Sequence, residues 1–270
     1  MSTDPLPPGR AGAALDDDCL DLLAQPMAGA GPGPLRERVL QRIGRSAEAS
    51  RAFVTVRTRR ARAMPLAEGV LARALYETAG TAPRPGEPAR VRIIELAAGA
   101  RWQADPLCGA VSEWLVMDGA LDMDGALLQT RDFQRRPANE TAPVLHSPTG
   151  ARLYLRESSA APGEARSTVL DACTPWQDFA PGIRRRVLWT DGREAALLYL
   201  ADPGAAVPQH GHGHDEECLM LDGEVFLDDL LLCRGDWQLA PAGTAHEGVS
   251  TDTGGVLFAH GDLDLDIRTA

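Results

Sequence analysis

The chain has no apolar run approaching the ~18 residues that a membrane-spanning helix needs. Its first residues, MSTDPLPPGRAGAALDDD, lack both the basic start and the apolar core of a secretory leader. These two absences point to a cytoplasmic protein with no membrane association. Cysteine is scarce: the five residues (Cys19, Cys108, Cys173, Cys218, Cys233) are odd in number, scattered and without a C-x2-C pair. In a reducing compartment they read most simply as buried small apolar residues. Positive charge is also short, with 27 basic against 38 acidic residues and a net charge of -11, which argues against direct nucleic-acid binding. Arg57, Arg59, Arg60 and Arg62 crowd one short stretch, expected to be a solvated strand end or loop.

Against this background the histidines stand out. GAAVPQHGHGHDEECLMLDG, from Gly204 to Gly223, fits G-x5-H-x-H-x3-E-x6-G at every fixed position, and GDWQLAPAGTAH, from Gly235 to His246, fits G-x5-P-x-G-x2-H. On a strand, residues i and i+2 share a face, so His210 and His212 project toward one interior point. Glu216 and His246 reach that point only if the strands curl around it. The spacing therefore predicts a metal site inside a small β-barrel.

The paired segments resemble the two motifs of the cupins, small β-barrels with a mononuclear metal inside. More narrowly, the tandem Glu216-Glu217, the run LMLDGE and the turn PAGTAH resemble the cupin domain of ChrR-type anti-sigma factors, strongly over about residues 165–260 and weakly before it. The resemblance implies His210, His212, Glu216 and His246 as the metal ligands.

Internal repetition changes how the first half is read. MPLAEGVLARALYE (Met64 to Glu77) could pass for a helix on propensity, yet it aligns with DFAPGIRRRVLWT, placing Gly69 on Gly182 and Leu75 on Leu188. VRIIELAAGA matches EAALLYLADPGA. SEWLVMDG then matches EECLMLDG, and RDFQRRPAN matches GDWQLAPAG, at one constant offset. The expected fold is all-β: two tandem cupin barrels of the jelly-roll type, preceded by a short helical N-terminal segment. The expected divisions are 1–48, a partly disordered segment; 49–160, a barrel without metal ligands; and 161–270, the metal-binding barrel. In the first copy the ligand slots hold Pro106, Cys108, Ser112 and Ala142, and its lone histidine, His146, reads as a strand-end or loop residue.

In the first segment, PLRERVLQRI (Pro34 to Ile43) has proline in a plausible first turn and Gly44 after its end, with Leu35, Val39 and Ile43 on one face. It resembles the linker after the sigma-binding zinc domain of ChrR-type proteins, but the H-x3-C-x2-C motif of that domain does not occur in the sequence. The helix is expected to pack on a barrel or on a dimer mate.

Three imidazoles and a carboxylate suit Zn(II), Fe(II), Mn(II), Ni(II) or Cu(II), with Zn(II) favoured and Fe(II) or Mn(II) next. Four protein ligands close the shell of Zn(II), which reads as structural or sensory, whereas Fe(II) can expand to bind O2 or a substrate. The nearby acid–base candidates are His214, expected toward solvent or just behind the ligands; Glu217, expected to point away from the metal; and His260, expected to be a strand-end residue. Cys218 is expected in the core. This thin inventory favours a regulatory protein related to anti-sigma factors. Its expected partners are a sigma factor or other regulatory protein, a small molecule in the C-terminal barrel, and a second copy of the chain. The alternative is an Fe(II) dioxygenase acting on a small diketone-like substrate. A sugar-modifying cupin has no support beyond the fold.

Overall fold

A computed structural model of the chain describes residues 37–41, 43–44, 52–78, 86–138, 140–159 and 165–267. Cys19, Pro34, Leu35 and residues 79–85 and 160–164 lie outside the described residues. Two compact units are present, Met1–Glu48 and Ala49–Ala270. Residues 37–41 and 43–44 of the first are helical.

The second unit is built from two ten-stranded antiparallel sheets and a small three-stranded one. The segment with helical propensity forms instead the strands Ala63–Ala67 and Val70–Glu77, joined through Gly69 at φ +70°. One sheet runs in the order Ser167–Val169, Phe133–Arg136, Ala110–Met123, Ala151–Ser159, Pro88–Leu96, Val70–Glu77, Ala63–Ala67. The other runs Val54–Val56, Trp237–Ala240, Glu216–Leu227, Gly255–Asp262, Glu194–Ala201, Ile183–Thr190, Gln177–Ala180. Each sheet thus takes its first strand from the other half of the chain: Val56 pairs with Trp237, and Val169 with Phe133.

Strand alternation sorts the side chains into two layers. In the first half Trp114, Val116 and Leu121 face the barrel interior, with Ile94, Leu153 and Leu155. Leu115, Met117 and Phe133 face the other way, against Leu188, Leu219, Trp237 and Phe258 of the second half. Burying a side chain of this size contributes about 1.5–3 kcal/mol, so this shared layer binds the halves into one unit. The apolar cluster inside the second barrel is smaller, built on Cys218, Met220, Leu227 and Leu232. Gly223 and its counterpart Gly119 are required where strands approach closely. Both have positive φ, and a Cβ on either would lie 2.2 Å from a backbone oxygen, of Gly254 and of Gly150.

Two expectations change. Arg59, Arg60 and Arg62 are exposed, but Arg57 reaches across to the carbonyl of Leu231 at 2.6 Å and to the buried Asp236 at 2.5 Å. It fastens the exchanged strand to the second half. Of the described cysteines only Cys218 is fully buried; Cys108 and Cys173 are exposed because they lie in a turn and a short 3-10 helix outside the barrel cores.

Candidate metal centre

His210 lies on a two-residue strand and pairs directly with His246, so the two motifs meet across one ladder. The turn that carries His246 is locked to the histidine loop. His212 N–H donates to the Thr244 carbonyl at 3.0 Å, Gly243 N–H to the His212 carbonyl at 2.8 Å, and Ala242 N–H to the Asp215 carboxylate at 2.8 Å. Gly243 supplies the positive φ of +83° that this turn needs. Glu216 begins the long Glu216–Leu227 strand. Opposite it stands Gly261, where a Cβ would come within 3.1 Å of the Glu216 side chain, so the glycine makes room for the carboxylate.

Donor atoms of His210, His212 and Glu216 all lie within 4.8 Å of one another. His246 stands beside this group, its ring centroid 5.0 Å from that of His212 and 5.7 Å from that of His210. All four residues are buried. His210 Nδ1 is 3.0 Å from the Pro208 carbonyl, and His246 Nδ1 is 3.0 Å from the Asp228 carboxylate. Such contacts fix the tautomer, placing the proton on Nδ1 and the lone pair on Nε2. Asp228 is held by two further N–H donors, of Glu247 and Gly248. Burial opposes its charge, yet the His246 contact and these donors keep its carboxyl below the ordinary range. Burial pushes the His212 imidazole down toward its neutral, ligating form. The Nε2 atoms of His212 and His246 are buried without a hydrogen-bond partner. Unpartnered buried nitrogens are costly, and lone pairs aimed inward beside a carboxylate are what a divalent cation would satisfy.

Residues 164–264 match the family described as the ChrR cupin-like domain. That stretch of the chain is similar to a ChrR cupin-like domain. No curated protein matches the chain in sequence. Solved structures share its fold across both halves. A candidate dioxygenase from Nostoc punctiforme is 16% identical with a TM-score of 0.61, covering 82% of this chain and 85% of that one. A pirin from Escherichia coli in complex with nickel(II) is 11% identical with a TM-score of 0.58, covering 78% and 98%. A quercetin 2,3-dioxygenase from Acinetobacter baumannii is 10% identical with a TM-score of 0.59, covering 79% and 80%.

In the C-terminal half the acid–base candidates are all committed elsewhere. His214, partly exposed, places Nδ1 2.5 Å from Asp262, and that contact raises its proton affinity. Glu217 does point away, accepting from the Tyr154 hydroxyl at 2.5 Å and from Arg156 Nε at 2.6 Å. His260 is not a strand-end residue. It is buried between the two halves, 3.3 Å from Glu113 and stacked on Trp189, because the Gly255–Asp262 strand turns this residue to the same face as Glu217.

The first half shows what fills the space where the candidate ligands are replaced. Trp114 occupies the register of Cys218, since one pairs with Gln134 and the other with Gln238. Its indole N–H donates to the Ser112 hydroxyl at 2.9 Å, in the slot equivalent to Glu216. Cys108 is exposed, and His146 ends a strand, partly buried. Two contributors escaped the motifs: Asp228, which orients His246, and Phe53, whose ring lies 5.1 Å from the His246 ring. Asp228 had a signal. Its counterpart Asp124 also adopts positive φ in the equivalent hairpin, where it accepts from Val144 N–H instead of a histidine.

Proposed function

We propose that this chain is a divalent-metal-binding regulatory protein, with Zn(II) the favoured ion, whose C-terminal barrel senses a signal in the manner of an anti-sigma factor's cupin half. One observation carries the reading: the donors of His210, His212 and Glu216 converge with the His246 ring beside them, the Nε2 atoms of His212 and His246 are unpartnered, and the other titratable groups nearby are engaged or hold their protons. Cys218, 3.8 Å from Glu216, is pushed well above the usual thiol range by burial and by that carboxylate. Tyr199 is pushed up by burial in the same way. Neither serves as a base near neutral pH.

His210, His212, Glu216 and His246 would hold the ion, which when bound supplies a cross-link between the two motifs and Lewis acidity at their centre. The chain's own residues do the orienting. The Pro208 carbonyl and Asp228 aim two imidazoles, and Gly261 leaves space for the carboxylate. The element read by a partner is the 1–48 segment, and the partner is a sigma factor, another regulatory protein or a second copy of the chain. The two barrels of the proposal are 49–160, without metal, and 161–270.

Metal analysis of protein purified without added metal, together with oxygen uptake on β-diketones, tests this. Tightly held zinc without uptake is expected. Stoichiometric iron with turnover would instead establish an Fe(II) dioxygenase acting on a diketone-like substrate.

A further inference from the structure

Beside the candidate ligands the second barrel contains a cavity of about 80 Å³. Its walls include Phe179, Ile183, Val207, Leu227 and Leu257, and its polar end is formed by His210 and Glu216. In the first barrel the equivalent positions carry large side chains. Trp102 pairs with Leu145 as Val207 pairs with Val249, and Trp114 pairs with Gln134 as Cys218 pairs with Gln238. The two indoles meet at 6.3 Å inside the first barrel. The second barrel carries a valine and a cysteine in their positions, and both line the cavity.

Protein interiors pack to crystal density, and an unfilled apolar space forfeits dispersion contacts around its whole wall. The barrel that keeps the four donors also holds this space, open toward two of them. We propose that the cavity is a binding site for a small neutral molecule with a hydrocarbon body and one donor atom directed at His210 and Glu216. This rests on the metal-site reading above and adds the class of the signal molecule.

The lining decides the class. Among the described residues that line the cavity none is an arginine or a lysine, and two, Glu216 and Glu224, are acidic, so their charges balance that of a divalent ion and a carboxylate or phosphate would find no net positive charge there. Polar groups along the wall are few, and Thr251 donates its hydroxyl to the Glu224 carbonyl. A polyol would therefore leave most of its hydroxyls unpaired. At roughly 10–15 Å³ for each water-sized group, the space accepts about six such groups.

The test uses the full chain loaded with Co(II) and three probes equal in non-hydrogen atoms: 1-pentanol, glycerol and butanoate. Paramagnetic relaxation of probe protons and the visible spectrum of the ion report binding. 1-Pentanol is expected to bind at least tenfold more tightly than the other two, with the protons on its hydroxyl-bearing carbon relaxing fastest. Val207→Trp, which copies the plug of the first barrel, should lose at least tenfold in 1-pentanol affinity while its metal content stays at the wild-type level. Val249→Phe provides a second plug should the first fail to fold.

Equal binding of the three probes, or full 1-pentanol binding to a folded plugged variant, would overturn the proposal. Metal-free protein, followed by the effect of 1-pentanol on tryptophan fluorescence, separates the two readings. If 1-pentanol binds equally with and without metal, the donor end of the proposal is wrong and the metal site stands. If Co(II) itself is not held, the metal-site reading fails, and the preference among the three probes still decides whether the cavity takes an apolar ligand.

Discussion

Arg156→Met should be the most destabilising single change in the shared layer between the two halves. Arg156 is 2% exposed and donates from Nε to Glu217 at 2.6 Å, from one terminal nitrogen to Glu113 at 3.2 Å, and from the other to the Gly86 carbonyl at 2.6 Å. Both carboxylates are buried as well. Glu113 also pairs with Arg135, whose guanidinium lies 3.9 Å over Trp189, and with His260. Removing the central cation strands Glu217, whose remaining donor is the Tyr154 hydroxyl, and weakens the hold on Glu113. Breaking a buried pair in this way costs about 3–5 kcal/mol, and at ~2–4 °C per kcal/mol for a unit of this size the midpoint should fall by roughly 6–20 °C. Urea and thermal unfolding of the variant measure this. The control is Arg166→Met, a half-exposed side chain paired with the partly exposed Glu140, expected to cost about 0–1 kcal/mol. A loss below about 1 kcal/mol for Arg156→Met would refute the buried-charge argument. The same cluster sets a pH dependence. Burial opposes the charge on Glu113, but His260, Arg135 and Arg156 hold its carboxyl far below the ordinary range. A carboxylate depressed in the folded state stabilises above its unfolded pKa of about 4.3. Stability should therefore be fully present at neutral pH and decline as pH drops below about 5, and the decline should shrink in Glu113→Gln.

Further outcomes follow from the site. His210→Ala or His246→Ala should abolish metal binding, while Cys108→Ala should leave it intact, as read by metal content after dialysis. Asp228→Ala frees the His246 ring and should weaken metal affinity by about 10–100-fold in a chelator competition, with folding retained. Gly261→Val places a side chain against Glu216 and should weaken the metal by about tenfold, or ~1.4 kcal/mol, without the thermal loss of Arg156→Met. Gly223→Ala forces a Cβ against the Gly254 carbonyl at positive φ and should lower the unfolding midpoint whether or not metal is present.

The motif spacings, the duplicated frame and strand alternation were all present in the order of residues. Alternation alone put Glu216 on one face of its strand and Glu217 on the other, and the repeat alone turned Met64–Glu77 from a helix into a pair of strands. These are local or periodic properties, set by backbone geometry within a few residues. His260 was misplaced for the complementary reason. A period-two pattern says that a side chain turns inward but not which of two interiors it enters, and a buried histidine and a frayed one look alike in sequence.

By itself, then, the sequence determined an all-β duplication with one set of candidate metal donors, because donor spacing and strand period are written in neighbouring residues. Only the tertiary structure decided what surrounds those donors. The Arg156 and Glu217 pair joins residues 61 positions apart, and the exchanged strand Val54–Val56 meets Trp237–Ala240 from the far end of the unit. Asp228 came to hold His246 through a turn 18 positions away, and the cavity beside His210 exists because two indoles fill one barrel and a valine and a cysteine stand in their places in the other. Such contacts depend on how strands close into barrels and on which barrel faces which, and no local pattern encodes that.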